Sequence, residues 1–152
     1  MKKIVIFFIG AIVLLLSSCS DIVNYSINDR VEELNKKCPI SLKSLDEITK
    51  VEYRNGVITF YITYDETEFD FSKLTSDDIE RIINDRKFRM EVVRECLGNE
   101  TVLNHLFKHL TKTMIKEVDL SFRFIIVGLN SNVEFEIEVP WAEIEAIRSY
   151  RK

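Results

Sequence analysis

The two histidines of the chain are the first residues whose spacing could support chemistry. His105 and His109 are four residues apart, so on a helix they project from the same side and could hold a metal ion from one turn. A tight site needs further ligands, and the glutamate that follows the first histidine in the HExxH pattern of zinc proteases is missing. We interpret the pair as a solvated helix flank, keep it as a weak metal candidate, and predict no cofactor.

A second candidate is a row of acidic side chains on a predicted strand. Glu134, Glu136 and Glu138 alternate with apolar residues, which is typical of a solvated sheet face. Such a row could instead meet a basic protein partner or bind a divalent cation weakly. Tyr61 and Ile125 are predicted on the same outer face, where either a loop or helix covers them or they form part of a protein interface.

The first 18 residues differ in composition from all that follows. Lys2 and Lys3 precede an uncharged run of 13 residues, from position 4 to position 16. A helix needs about 20 residues to cross the hydrocarbon core of a bilayer, so this run fits the apolar region of a secretory signal peptide better than a permanent membrane span. The alternatives are an ordinary secretory peptide that happens to contain a cysteine, or an uncleaved short anchor.

The segment Leu16-Ser17-Ser18-Cys19 resembles the lipobox of bacterial lipoproteins, and this resemblance covers only about the first 19 residues. It implies cleavage before Cys19, a diacylglyceryl group on the Cys19 thiol, and usually a further acyl chain, such as palmitate, on the new amino group. By the sorting rule of enteric bacteria, Ser20 after the anchor implies the outer membrane rather than the inner one. The predicted protein is therefore held on the cell envelope by its acyl chains.

Two cysteines remain beyond the predicted anchor. Cys38 and Cys96 would lie in a compartment outside the cytoplasm, where a disulfide can persist, and we favour a bridge between them. The alternative is a pair of buried thiols that pack as small hydrophobic groups. Neither cysteine has a histidine nearby in sequence, and the chain contains neither a glycine-rich phosphate loop nor a G-x-S-x-G motif.

Length and charge limit the organisation of the chain. Its 152 residues are 46% hydrophobic and 30% charged with a net charge of −4, which fits one packed domain and argues against nucleic-acid binding. We divide the chain into a removed signal peptide (1–18), a lipidated tether (19–27) and a single α+β domain (28–152). Removal of the first segment leaves 134 of the 152 residues. Because Lys2 and Lys3 are the charged residues of that segment, the net charge then changes from −4 to −6.

Apolar periodicity predicts four helices and four strands. Thr75 and Asp78 have the spacing of a capping box, and Asn55-Gly56 suits a type I′ turn that sets Arg54 opposite Val57. An acidic connection follows this hairpin. The predicted helices run from 28 or 29 to 37, from 75 to 98, from 99 to about 116 and from 141 to about 150, and the predicted strands run from 48 to 54, 57 to 64, about 120 to 127 and 133 to 139.

The predicted order is α-ββ-α-α-ββ-α. It indicates an α+β fold in which two β-hairpins form an antiparallel sheet and the helices pack on one face. We favour a lipid-anchored binding or structural module of the envelope, such as an assembly accessory, a ligand-binding lipoprotein, or an inhibitor or immunity protein. The alternative is a small envelope hydrolase, metal-assisted through the histidines or the acidic row. The oligomeric state is left open.

Overall fold

The computed structural model describes the backbone of residues 2–67 and 70–149, and the side chains of residues 19–67 and 70–146. Two short 3-10 helices, Phe71–Lys73 and Phe107–His109, accompany the main elements. The helices are α1 (Lys2–Asn35), α2 (Ser76–Asn84), α3 (Arg86–Leu97), α4 (Glu100–His105), α5 (Lys112–Glu117) and α6 (Trp141–Ser149). The strands are β1 (Ile40–Ser41), β2 (Glu47–Arg54), β3 (Val57–Tyr64), β4 (Ser121–Gly128) and β5 (Glu134–Pro140).

The five strands form one sheet in the order β1-β2-β3-β4-β5. The β2–β3 and β4–β5 hairpins are antiparallel, but the hairpins join through a parallel β3–β4 pair in which Val57 is opposite Ser121. The α+β class is confirmed, whereas the sheet is mixed rather than wholly antiparallel. The reason is that the helices from α2 to α5 carry the chain back to the end of the sheet at which β3 begins. The next strand, β4, therefore runs in the same direction as β3.

The register of the first hairpin follows its turn. Asn55 and Gly56 have φ angles of 50° and 78°, as a type I′ turn requires, and Arg54 lies opposite Val57 as predicted. Continued along both strands without a shift, the predicted register would also set Thr49 opposite Ile62, and this part is wrong. The pairing shifts after Ile48, so Ile48 lies opposite Ile62 in the core while Thr49 is exposed.

The first helix corrects the predicted tether. Residues 19–27 are helical rather than an irregular linker, and α1 continues unbroken through them to Asn35. The physical reason is an apolar stripe with helical spacing, formed by Val23, Ile27, Val31 and Leu34, which packs into the core. The side chains of residues 1–18, which the sequence assigns to the signal peptide, lie outside the described residues. No helix within the described part of the chain is long and apolar enough to span a membrane.

The two long predicted helices are each interrupted. The capping box of Thr75 and Asp78 is present, but the first helix breaks at Asp85, whose extended backbone ends α2 and whose side chain caps α3. Asn99, where the next helix was predicted to begin, caps α4, and this helix ends at His105 with Leu106 as its C-cap. Thr111 then caps α5. Polar caps inside an apolar pattern therefore divide each predicted helix into shorter pieces.

The core lies between the inner face of the sheet and the helices. Phe60, Phe122 and Phe124 are fully buried, and their rings stack with centroid distances of 5.5 to 6.5 Å. Phe122 also faces Phe107 and Trp141 from the helical layer. Because alternate residues of each strand point inward, the remaining strand residues form a second, outer face. The predicted end of α6 at Tyr150 and the side chain of Ile147 lie outside the described residues.

Candidate functional site

The outer sheet face is the surface formed by the outward-pointing residues of β2 to β5. Tyr61 on β3 and Ile125 on β4 lie side by side in the parallel register, at the middle of this surface. Both are half-buried, because the neighbouring strands shield them from the sides. The buried apolar residues of the described helices belong to the hydrophobic core, which lies on the other side of the sheet. The structure therefore places these two residues on the predicted face, and no described helix packs its apolar stripe over them.

A network of polar contacts holds Tyr61 in place. Its hydroxyl donates a hydrogen bond to Glu52 Oε2 at 2.8 Å, and Lys50 Nζ lies 5.4 Å from the ring centroid. Lys50 also forms an ion pair with Glu52. The hydrogen bond from Lys50, followed by that from Tyr61, lowers the pKa of the Glu52 carboxyl. The hydrogen bond that Tyr61 donates to Glu52 raises the pKa of the Tyr61 hydroxyl. These contacts hold the tyrosine ring in one orientation on the face.

The predicted acidic row is partly neutralised by Arg123. Arg123 Nη2 donates to Glu138 Oε2 at 3.0 Å, and its Nε lies 3.1 Å from Glu136 Oε1 without the alignment of a hydrogen bond. Ser121 Oγ donates to the other oxygen of Glu138 at 3.3 Å. All three glutamates of the row are exposed. Charged groups of both signs therefore surround the apolar pair of Tyr61 and Ile125, as in the rim of a modest protein interface.

The structure separates the two histidines into different elements. His105 ends α4, where its Nδ1 donates to the Thr101 carbonyl oxygen at 2.9 Å, while His109 is exposed in the following 3-10 helix. The break at Leu106 removes the continuous helix on which their spacing depended. Among the described residues, no group of three or more histidine, cysteine, aspartate or glutamate side chains is placed to hold a metal ion.

The structure contains Cys19, Cys38 and Cys96 as free thiols, and so it does not form the bridge between Cys38 and Cys96 that the sequence favours. Cys38 follows α1 and is half-buried, while Cys96 is fully buried on α3. Burial raises the pKa of both thiols, which keeps them protonated and poorly nucleophilic. Cys19, the predicted lipidation site, is exposed on α1.

The chain was compared with known proteins at the levels of sequence and of structure. No protein-family model matches the chain, and no curated protein is similar to it at a significant level. A solved structure, the pilotin EpsS of the type 2 secretion system of Vibrio vulnificus, aligns with a TM-score of 0.53 over 84% of this chain and 96% of that one, at 12% sequence identity. The chain shares its fold with this pilotin. At such low identity the likeness concerns the fold alone.

Sequence reasoning missed one organising residue, Glu66, in the acidic connection after β3. Glu66 is only 7% exposed, and its carboxylate accepts hydrogen bonds from the backbone N–H groups of Phe71, Asn130 and Ser131 and from the Ser131 hydroxyl. A Cβ atom at Gly128 would lie 2.7 Å from the Glu66 carboxyl carbon, so a larger residue there would displace this carboxylate. Glu66 therefore ties the loop after β3 to the β4–β5 turn, opposite the Asn55-Gly56 end of the sheet.

The Glu66 carboxylate should make stability depend on pH. Burial favours its protonated form, but the hydrogen bonds from Ser131, Asn130 and Phe71 together outweigh burial and lower the pKa of Glu66 below its ordinary value of 4.5. A lowered pKa contributes stability that is fully present above 4.5 and is lost as the pH falls through the lowered value. We expect Glu66→Gln to lower the melting temperature near neutral pH and to converge with the unsubstituted protein in acid.

Melting curves between neutral pH and pH 3 would measure this difference. The matched control is Glu134→Gln, which changes the same group at an exposed position of β5. A pH-independent difference for Glu66→Gln, or an equal effect of the control, would contradict the role of the Glu66 carboxylate.

Proposed function

We propose that this protein is a lipid-anchored accessory protein of the bacterial cell envelope that binds a protein partner on its outer sheet face. The observation that carries this proposal is the pair of Tyr61 and Ile125, which lie next to each other on adjacent strands. Hydrogen-bonded and ion-paired side chains surround this pair, and the described helices leave its face of the sheet open. Aromatic residues surrounded by a polar rim are typical of the centres of protein interfaces.

The envelope location is supported by the first residues of the chain. The lipobox resemblance of Leu16-Ser17-Ser18-Cys19 implies acylation at Cys19, and the structure has this thiol exposed, where a modifying enzyme can reach it once the chain is exported. Ser20 favours the outer membrane. The shared fold with a pilotin supports, within this class, an assembly accessory of a secretion system over an inhibitor or immunity protein.

The charges of the outer sheet face indicate the chemistry of the partner. Five carboxylates and three basic side chains lie on this face, so it has a net negative charge. A partner segment with basic side chains around an apolar one would match this pattern. The acidic residues are Glu47, Glu52, Glu134, Glu136 and Glu138, and the basic ones are Lys50, Arg54 and Arg123.

Site-specific photo-crosslinking in the native envelope tests the proposed interface. A photoreactive amino acid at position 125 should crosslink the full-length protein to an envelope protein, whereas the same group at position 129 should not give that product. Leu129 is the matched control because it is an apolar residue of the same chain segment that is accessible at the surface, but it follows the end of β4, away from Tyr61. Equal yields of the same product from both positions would contradict the assignment of the outer sheet face.

Substitution at the centre of the face should weaken the identified complex. Because loss of a central aromatic residue typically costs at least about 2 kcal/mol, we expect Tyr61→Ala to reduce the affinity about 30-fold. Leu129→Ala is the control and should leave the affinity unchanged. Binding measured by titration calorimetry with no loss for Tyr61→Ala would overturn the proposed centre of the interface.

A further inference from the structure

The first turns of α1 after Cys19 carry exposed apolar side chains. Ile22 is 67% exposed and Tyr25 is 75% exposed. With 3.6 residues per turn, both lie on the side of α1 opposite the stripe of Val23 and Ile27 that packs into the core. Among the described residues, only one other large apolar side chain, Leu129, is similarly exposed. Packing within the domain therefore does not account for Ile22 and Tyr25.

The position of these residues suggests what they contact. Ile22 follows Cys19 by three residues and Tyr25 follows it by six, so both lie within two helical turns of the proposed acyl chains. A tyrosine ring combines an apolar body with a polar hydroxyl, which suits the boundary between lipid headgroups and acyl chains. The proposed anchor would hold this side of α1 at that boundary permanently.

The β2–β3 turn lies beside this end of α1. Tyr53, next to the β2–β3 turn, donates from its hydroxyl to Asn24 Oδ1 at 2.5 Å. Ser20 and Asn24 line the same surface groove as Asn55 of that turn. Leu129, in contrast, follows β4, whose eight residues separate the two ends of the sheet by about 23 Å at about 3.3 Å per step. The sheet thus has one end near Cys19 and one end far from it.

We propose that Ile22 and Tyr25 insert into the interfacial layer of the membrane that carries the acyl anchor. This inference rests on the proposed lipid anchor and adds an orientation to it. The β2–β3 turn faces the bilayer, the β4–β5 turn faces away from it, and the outer sheet face stands to the side, accessible to a partner. The net charge of −6 expected for the processed chain gives no general attraction to anionic lipids, so the contact depends on the anchor and the two side chains.

Tryptophan quenching by brominated lipid tests this orientation. The full-length protein is produced with its own leader, purified with its acyl chains, and reconstituted into phosphatidylcholine vesicles with or without brominated chains. Tyr25→Trp and the control Leu129→Trp are each compared with the unsubstituted protein, in which Trp141 gives the common background. We expect brominated lipid to remove most of the emission added by Tyr25→Trp, with its maximum shifted to the blue, and to leave the emission added by Leu129→Trp unchanged.

Mass spectrometry of the same samples separates this inference from the proposed anchor. If Cys19 is acylated and the tryptophan at position 25 is quenched no more than the one at position 129, the membrane contact is overturned while the anchor stands. The membrane contact is also overturned if the tryptophan at position 25 is shielded from aqueous acrylamide but is not quenched by brominated lipid. In that case a second copy or another protein would cover this position. An unmodified Cys19 would overturn the proposed anchor and this inference together.

Discussion

The Cys19→Ala variant should leave the membrane almost completely. In the proposed lipoprotein, Cys19 carries every acyl chain, and each buried CH₂ group contributes about 0.8 kcal/mol to membrane binding. Several chains make binding effectively permanent. We expect incorporation of labelled palmitate to fall to background. The protein should move from the membrane pellet to the soluble fraction.

The control for this prediction is Cys38→Ala, which removes a half-buried thiol beyond α1 and should leave both labelling and membrane retention intact. Continued incorporation of labelled fatty acid into Cys19→Ala would contradict the lipoprotein assignment directly. Loss of labelling in both variants would point to a folding or export defect, and so the two variants must be compared at equal expression.

The second large effect is expected from Phe122→Ala. Phe122 is fully buried at the centre of the aromatic cluster, where it contacts Phe60, Phe107 and Trp141 and so connects the sheet to the helical layer. Truncation of a buried phenylalanine costs about 3–5 kcal/mol of the free energy of unfolding, from a total that is only about 5–15 kcal/mol for most domains. The ratio of unfolded to folded protein should therefore rise by at least about 100-fold.

Urea titration followed by circular dichroism would measure this loss as a lower midpoint with an unchanged slope. Glu134→Ala provides the comparison, since its side chain is exposed and substitutions at such positions usually change stability by less than about 0.5 kcal/mol. A loss below about 1 kcal/mol for Phe122→Ala would show that the aromatic cluster does not hold the two layers together.

Local signals in the sequence predicted the parts of the fold that depend on local chemistry. Asn55-Gly56 fixed the hairpin because its backbone angles are accessible to few other residue pairs. The alternation on β4 and β5 predicted correctly which residues point outward, including Ile125. The α+β class followed from the order of these patterns, and the caps at Thr75 and Asn99 were found because their side chains act on their own helices.

The features that sequence reasoning missed depend on contacts between distant segments. The parallel β3–β4 pair joins residues 64 positions apart, such as Val57 and Ser121, and no local pattern specifies such a partner. In the sequence, Glu66 does not differ from the other acidic residues of its loop. Its role depends on the backbone N–H groups of the β4–β5 turn, which donate hydrogen bonds to it from 64 and 65 positions away. The helix through residues 19–27 could have been found, because Val23, Ile27 and Val31 recur at intervals of four, but the polar residues between them suggested a linker.

The last strand also has a consequence for how the protein avoids unwanted association. β5 forms one edge of the sheet, where unpaired backbone groups could recruit a strand from another chain. Such pairing is opposed by the three glutamates along this strand and by Pro140 at its end. In addition, Arg89 Nη2 donates a hydrogen bond to the Glu138 carbonyl oxygen at 2.9 Å, so this backbone acceptor already has a donor. This edge therefore resists aggregation and sheet extension. A partner is therefore directed to the broad face of the sheet.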